Sequence, residues 1–166
     1  FRMGEQLENY SFNVAAAHTD SPCFRIKENA EIHMGQKYTK LNTEGYGGML
    51  MGTWLDRPLT LAGRGVGRTP EGLASRPVYL DRDLLTIPSV AIHFDRGVNE
   101  GRKWDPQVDL QPLYGEAGCR ALPELLAEEA GAAPADILTW DLCLAVRQKA
   151  TRIGPDGAFF MSPRID

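Results

Sequence analysis

Short runs of alternating residue character, cut apart by glycine and proline, constrain this chain more than any other feature. Cys23-Phe24-Arg25-Ile26-Lys27 alternates, and so does Tyr38-Thr39-Lys40-Leu41-Asn42-Thr43. A period of two sends successive side chains to opposite faces, so each run reads as a strand with one wetter face. Leu59 to Val66 reads as a further strand, with glycine-enabled bending at Gly63 and Gly65. Residues 67–76 read as a loop or wide hairpin connection. Pro77 to Leu80 and Ser89 to Phe94 are further strand segments, the second entered through Ile87-Pro88. Val14-Ala15-Ala16-Ala17 is a short apolar run stopped by His18-Thr19-Asp20-Ser21-Pro22, which fits a buried strand followed by a loop.

Helical spacing enters late. Leu122, Leu125, Leu126 and Glu129 predict an amphipathic helix from Leu122 through Ala130, interrupted by Pro134. Asp141 to Val146 reads as a strand or a short helix, and Asn99 to Pro112 as an extended, structured connection. Gly154-Pro155-Asp156-Gly157 is a turn signal. The order of elements predicts a β-rich α+β fold rather than repeated βαβ units. With 166 residues, 43% of them hydrophobic, the chain has enough material for one core.

Charge and cysteine usage narrow the function classes. The net charge is −4, and the acidic excess lies wholly beyond residue 105. Arginines such as Arg57, Arg64, Arg68, Arg76 and Arg82 are scattered, so the dense basic face of a nucleic-acid binder is missing; salt bridges and turn anchors are the expected use. Cys23, Cys119 and Cys143 have no CxxC spacing, which argues against a disulfide framework or zinc knuckle and for a reducing compartment. No charged leader runs into a long apolar stretch, so neither a signal peptide nor a membrane span is expected.

Few residues carry chemistry on spacing alone. His18 and Asp20 would share a face in an extended segment, where an imidazole binds a metal and a carboxylate fixes its ring. The alternative is a polar loop after a strand. A zinc site normally takes four ligands, and no HExxH is present. His93 follows the apolar Val90-Ala91-Ile92 and reads either as a hydrogen-bonded core histidine, which the pattern favours, or as a residue at a subunit boundary. His33 belongs to a polar, hairpin-like region and is expected to be exposed. Asp166 alone reads as a solvated acid. Glu44 precedes a glycine-rich turn, but GxSxG, GxGxxG and the phosphate-loop pattern are all missing, which leaves serine hydrolase and dinucleotide chemistry without support. Cys23 near His18 would need a thiolate to act as a nucleophile.

The ordered motifs say more than any one of them. Ala17-His18-Thr19-Asp20-Ser21-Pro22 is followed by Tyr46-Gly47-Gly48, Thr53-Trp54-Leu55-Asp56-Arg57-Pro58-Leu59 and Ala62-Gly63-Arg64. Ile87-Pro88-Ser89-Val90-Ala91-Ile92-His93, Asp141-Leu142 and Ser162-Pro163-Arg164-Ile165-Asp166 complete the series. In this the chain resembles the M18 family of metalloaminopeptidases, the aspartyl aminopeptidase group. The resemblance implies release of N-terminal amino acids from peptides, acidic ones in the best-known group, by two divalent metal ions, conservatively zinc. It implies His18 as a metal ligand, Asp166 as the carboxylate bridging two metals, and Asp20 as the acid that supports the metal site. It implies that His93 reaches a neighbouring subunit's active site, to contact substrate or stabilise developing oxygen charge.

The same resemblance implies a domain plan and a set of partners. Residues 1–22 would be an edge of the catalytic domain, 23–157 a β-rich insert and oligomerisation domain, and 158–166 the return segment. The implied partners are a peptide substrate and further copies of the chain, as many as a dodecamer, in the cytoplasm, with no nucleic acid and no membrane. Further ligands would come from beyond Asp166, so the chain alone is expected to be catalytically inactive and metal-free or weakly binding. The alternative expectation is a non-catalytic oligomerisation or protein-interaction module.

Overall fold

The computed structural model describes residues 12–17 and 20–163. Strands β1 (Cys23–Met34) and β2 (Tyr38–Tyr46) form a hairpin. Strands β3 (Leu59–Thr69) and β4 (Gly72–Tyr79) form a second one. Then come β5 (Leu113–Glu116), helix α1 (Leu122–Ala130) and β6 (Ile137–Val146). Six strands make one antiparallel sheet in the order β4-β3-β6-β1-β2-β5. A separate two-stranded ribbon pairs β7 (Thr151–Ile153) with β8 (Phe159–Met161) around the expected Gly154–Gly157 turn. The fold is α+β and β-rich, with one α-helix among the described residues.

Register explains which face is dry. Arg25 stands opposite Cys143, and Leu61 opposite Leu144. Phe24, Ile26, Leu59, Leu61, Leu142 and Leu144 therefore share one face, and all are buried. Leu122, Leu125 and Leu126 of α1 join the same cluster with Trp54, whose ring meets Phe24 edge-to-face at 5.3 Å. The helix starts against two carboxylates: Glu31 accepts the Leu122 N–H at 2.7 Å and Glu124 accepts that of Ala121. It stops at the left-handed Gly131, after which the Ala132 N–H reaches back to the Ala127 carbonyl.

Three expectations need correction. Residues 67–76 are not a wide connection: β3 continues to Thr69 and β4 restarts at Gly72. β4 and β6 bond β3 from both sides, and its glycines permit that close approach. At Gly63 (φ +152°) a Cβ would lie 2.0 Å from the Asp141 carbonyl oxygen of the neighbouring strand. The Val14–Ala17 run is no buried strand; it is exposed and lies outside both sheets. An apolar run is buried only where a second layer meets it. Ser89–Phe94 is a turn-rich loop whose backbone bonds to itself, with Phe94 N–H on the Ala91 carbonyl at 2.8 Å. Between the two open readings of residues 141–146 the structure selects the strand, β6.

Candidate functional site

The loop that carries His93 is part of an excursion between β4 and β5. Its ends are tied together. Leu113 N–H donates to the Thr86 carbonyl at 2.8 Å, closing residues 87–112 into one loop at the sheet edge. On the return, Pro112 offers a carbonyl to Leu41 but has no N–H for the β2 ladder. The Gln111 side chain stands in. Its Oε1 accepts the Thr43 N–H at 3.0 Å, while Nε2 of Gln107 donates to the Thr43 carbonyl at 2.9 Å. Gln111 is only 3% exposed, so this amide works as a buried piece of strand.

Two further clamps hold the loop on either side of His93. Asp56, in the turn after the helical turn Met51–Trp54, adopts a left-handed backbone with φ +55°. Its N–H donates to the Ile87 carbonyl at 2.9 Å, and its Oδ1 accepts the Ser89 N–H at 2.9 Å. Hydrogen bonds from the Ser89 hydroxyl and N–H hold the Asp56 carboxyl below its ordinary value of 3.8. After His93, the Arg102 guanidinium bridges Asp95 and Asp109, the latter at 2.7 Å, and lies 4.6 Å from the Trp104 ring centroid.

Between these clamps His93 is exposed in the turn around Ala91–Phe94, so the core-histidine reading is overturned. Its neighbours Val90, Ile92 and Phe94 are 56%, 46% and 85% exposed. The alternation read as a strand is real, but no core receives it. His33 is exposed as expected, with Nδ1 3.3 Å from the Thr39 hydroxyl.

The other candidate residues are placed unevenly. Asp20 is exposed, three positions before β1. His18 and Asp166 lie outside the described residues. Among the described residues no three His, Cys, Asp or Glu side chains cluster so as to hold a metal ion. The described donor set by itself therefore does not fit a zinc centre. Nor does Cys23 fit a nucleophile: its hydrogen bond with Cys143, then burial, push its thiol pKa up. The three cysteines are unbridged, as expected. Arginines serve as anchors: Arg25 and Arg64 meet Asp141 at 2.8 and 3.5 Å, and Arg76 donates to the Ala130 carbonyl. No helix among the described residues is long and apolar enough to cross a membrane.

What sequence reasoning passed over is Asp56 itself. The signal available was the turn-like Asp56-Arg57-Pro58, since aspartate is among the few residues that tolerate a left-handed backbone.

Fold and loop together define a β-rich α+β domain that presents a histidine on a braced surface loop. The chain belongs to the M18 peptidase family, aminopeptidase I zinc metalloproteases, whose family model matches residues 1–166. It is 40% identical over 162 residues to a probable M18 family aminopeptidase 2 of Clostridium acetobutylicum, covering 93% of this chain and 37% of that protein. The chain thus spans a little over a third of the length of the curated relatives it matches. Among solved structures, it resembles a chain of the Ape4 and Nbr1 complex with a TM-score of 0.81 at 32% identity, covering 90% of this chain and 32% of that one. It also resembles mApe1 of Chaetomium thermophilum with a TM-score of 0.79 at 27% identity, covering 90% and 37%.

Proposed function

We propose that this chain is the β-rich, oligomer-forming part of a zinc-dependent aminopeptidase that releases N-terminal amino acids, acidic ones among them, from peptides. Residues 23–157 form the insert that meets other copies of the chain, in an assembly as large as a dodecamer. Residues 1–22 and 158–166 are edges of the catalytic domain. His18 and Asp166 are metal ligands completed by residues outside this chain, and Asp20 supports the metal site. The whole works in the cytoplasm, a setting that the unbridged cysteines suit.

One observation carries the reading: His93 sits exposed on a loop braced at both ends and flanked by exposed Val90, Ile92 and Phe94. Apolar side chains grouped at a surface favour contact with another protein surface. An imidazole held among them is available to a site that a second subunit supplies, where it would contact substrate or stabilise developing negative charge on oxygen. The non-catalytic alternative, an oligomerisation module, draws on the lack of a three-ligand cluster among the described residues.

The test compares the purified 166-residue chain with its full-length parent on peptides bearing acidic or neutral first residues, with and without a chelator. The parent should hydrolyse and lose activity on chelation, while the chain alone stays inactive. Chelator-resistant hydrolysis by the isolated chain would sink the reading.

A further inference from the structure

We propose that Asp56 is a positioning residue for His93: by gripping the Ile87–Ser89 backbone it fixes the direction in which the loop leaves the sheet. The proposal deepens the functional reading above and rests on it. Two observations converge. The Asp56 backbone and side chain bond to the same short segment at both Ile87 and Ser89, each at 2.9 Å. The Asp56 N–H bond is itself part of a parallel bridge between Leu55 and Ile87. Asp56 is the one non-glycine residue with positive φ among the described residues, a conformation that persists only where surroundings fix it and that gathers at functional sites.

The local chemistry explains why this residue type suits the task. Pro88 has no N–H, so the Ser89 N–H is the first backbone donor after Ile87, and Asp56 meets both it and the Ile87 carbonyl. A donor and an acceptor on one left-handed residue meet both. Aspartate supplies the acceptor on the shortest carboxylate side chain and tolerates the backbone. From Ser89, His93 is four residues away, and the Arg102 clamp takes hold of Asp95 just beyond it. The segment that carries His93 is thus held at two points along its backbone, and loss of the Asp56 grip leaves only one.

The experiment uses the full-length parent in its assembled form. Asp56→Ala, Asp56→Asn, Asp56→Gly, His93→Ala and the double variant Asp56→Ala/His93→Ala are compared for kcat, KM, assembly mass, and amide exchange over residues 89–95. Displacements of about 1 Å cost up to about a hundredfold in rate. Asp56→Ala should therefore lower the same kinetic parameter as His93→Ala, by about tenfold or more, and speed exchange in the loop. The double variant should be no worse than His93→Ala alone, because a positioning residue has nothing left to position. Asp56→Asn keeps the acceptor and should retain most of the activity.

Should Asp56→Ala fail to assemble, Asp56→Gly decides, since it keeps the left-handed backbone and removes only the acceptor. If His93→Ala is fully active, the reading of His93 fails. If His93→Ala is impaired while Asp56→Ala or Asp56→Gly is assembled and fully active, the positioning role fails. Additive losses in the double variant would also overturn it.

Discussion

The sheet and the excursion that leaves it are held by different physics. In the sheet, Phe24, Leu41, Leu59, Leu61, Leu142 and Leu144 are all less than 3% exposed, and α1 and Trp54 cover them. Burial of that kind is non-directional, and it tolerates changes that keep volume. Residues 87–112 bury little besides Ile87, Leu110, Gln111 and Pro112. They are held instead by directed contacts: Asp56 on Ile87 and Ser89, Arg102 on Asp95 and Asp109, Gln111 and Gln107 on Thr43. Directed contacts fix orientation at small cost in apolar area. That is what a loop needs if its apolar side chains face outward and its histidine must point one way.

The contrast can be broken at two levels of effect. The largest is expected in the sheet, where Phe24→Ala removes a fully buried ring that packs on Trp54. It should cost about 3–5 kcal/mol of unfolding free energy, read from denaturant curves of the chain. A loss below about 1 kcal/mol would mean that the sheet face is not the core described here. A smaller effect is expected where sheet and excursion join. Gln111→Ala leaves the Thr43 N–H buried without its acceptor, for about 1–3 kcal/mol. It should also speed amide exchange from Leu110 to Leu113 more than in β1 or β6. Uniform acceleration across the sheet would show that the excursion is part of the same cooperative unit and remove the distinction.

Much of the sheet was legible because local pattern and tertiary role agree there. The alternation of Cys23–Lys27 and Tyr38–Thr43 survives in β1 and β2, and the helical spacing of Leu122, Leu125 and Leu126 becomes α1. Legibility failed where one pattern serves two ends. Gly63 and Gly65 read as bends in a strand and Gly67 as the start of a loop, yet a Cβ at Gly63 or Gly67 would lie within 3 Å of a neighbouring backbone oxygen, so there the residue type serves close approach. Val90, Ile92 and Phe94 alternate as they would in a buried strand, and nothing local tells a core from a partner.

Motif order alone singles out the candidate site residues. His18 and Asp20 stand two positions apart and would share a face, but His93 and Asp166 lie far from them in sequence, and no spacing rule joins all four. The Asp56 clamp is opaque for a related reason. It joins residues 33 positions apart, and its Asp-Arg-Pro context announces only a turn. Geometry shows what the turn is for.

If His93 serves a site belonging to another subunit, as proposed, mixing subunits reveals it. Full-length His93→Ala and full-length His18→Ala should each be impaired as uniform assemblies. When the two are co-assembled, an intact His93 from one subunit can meet an intact His18 site in its neighbour. Activity should reappear in the mixture, up to about a quarter of the unmodified enzyme when the chains mix at random in pairwise sites. Mixtures that assemble but remain as impaired as their parents would contradict the proposal.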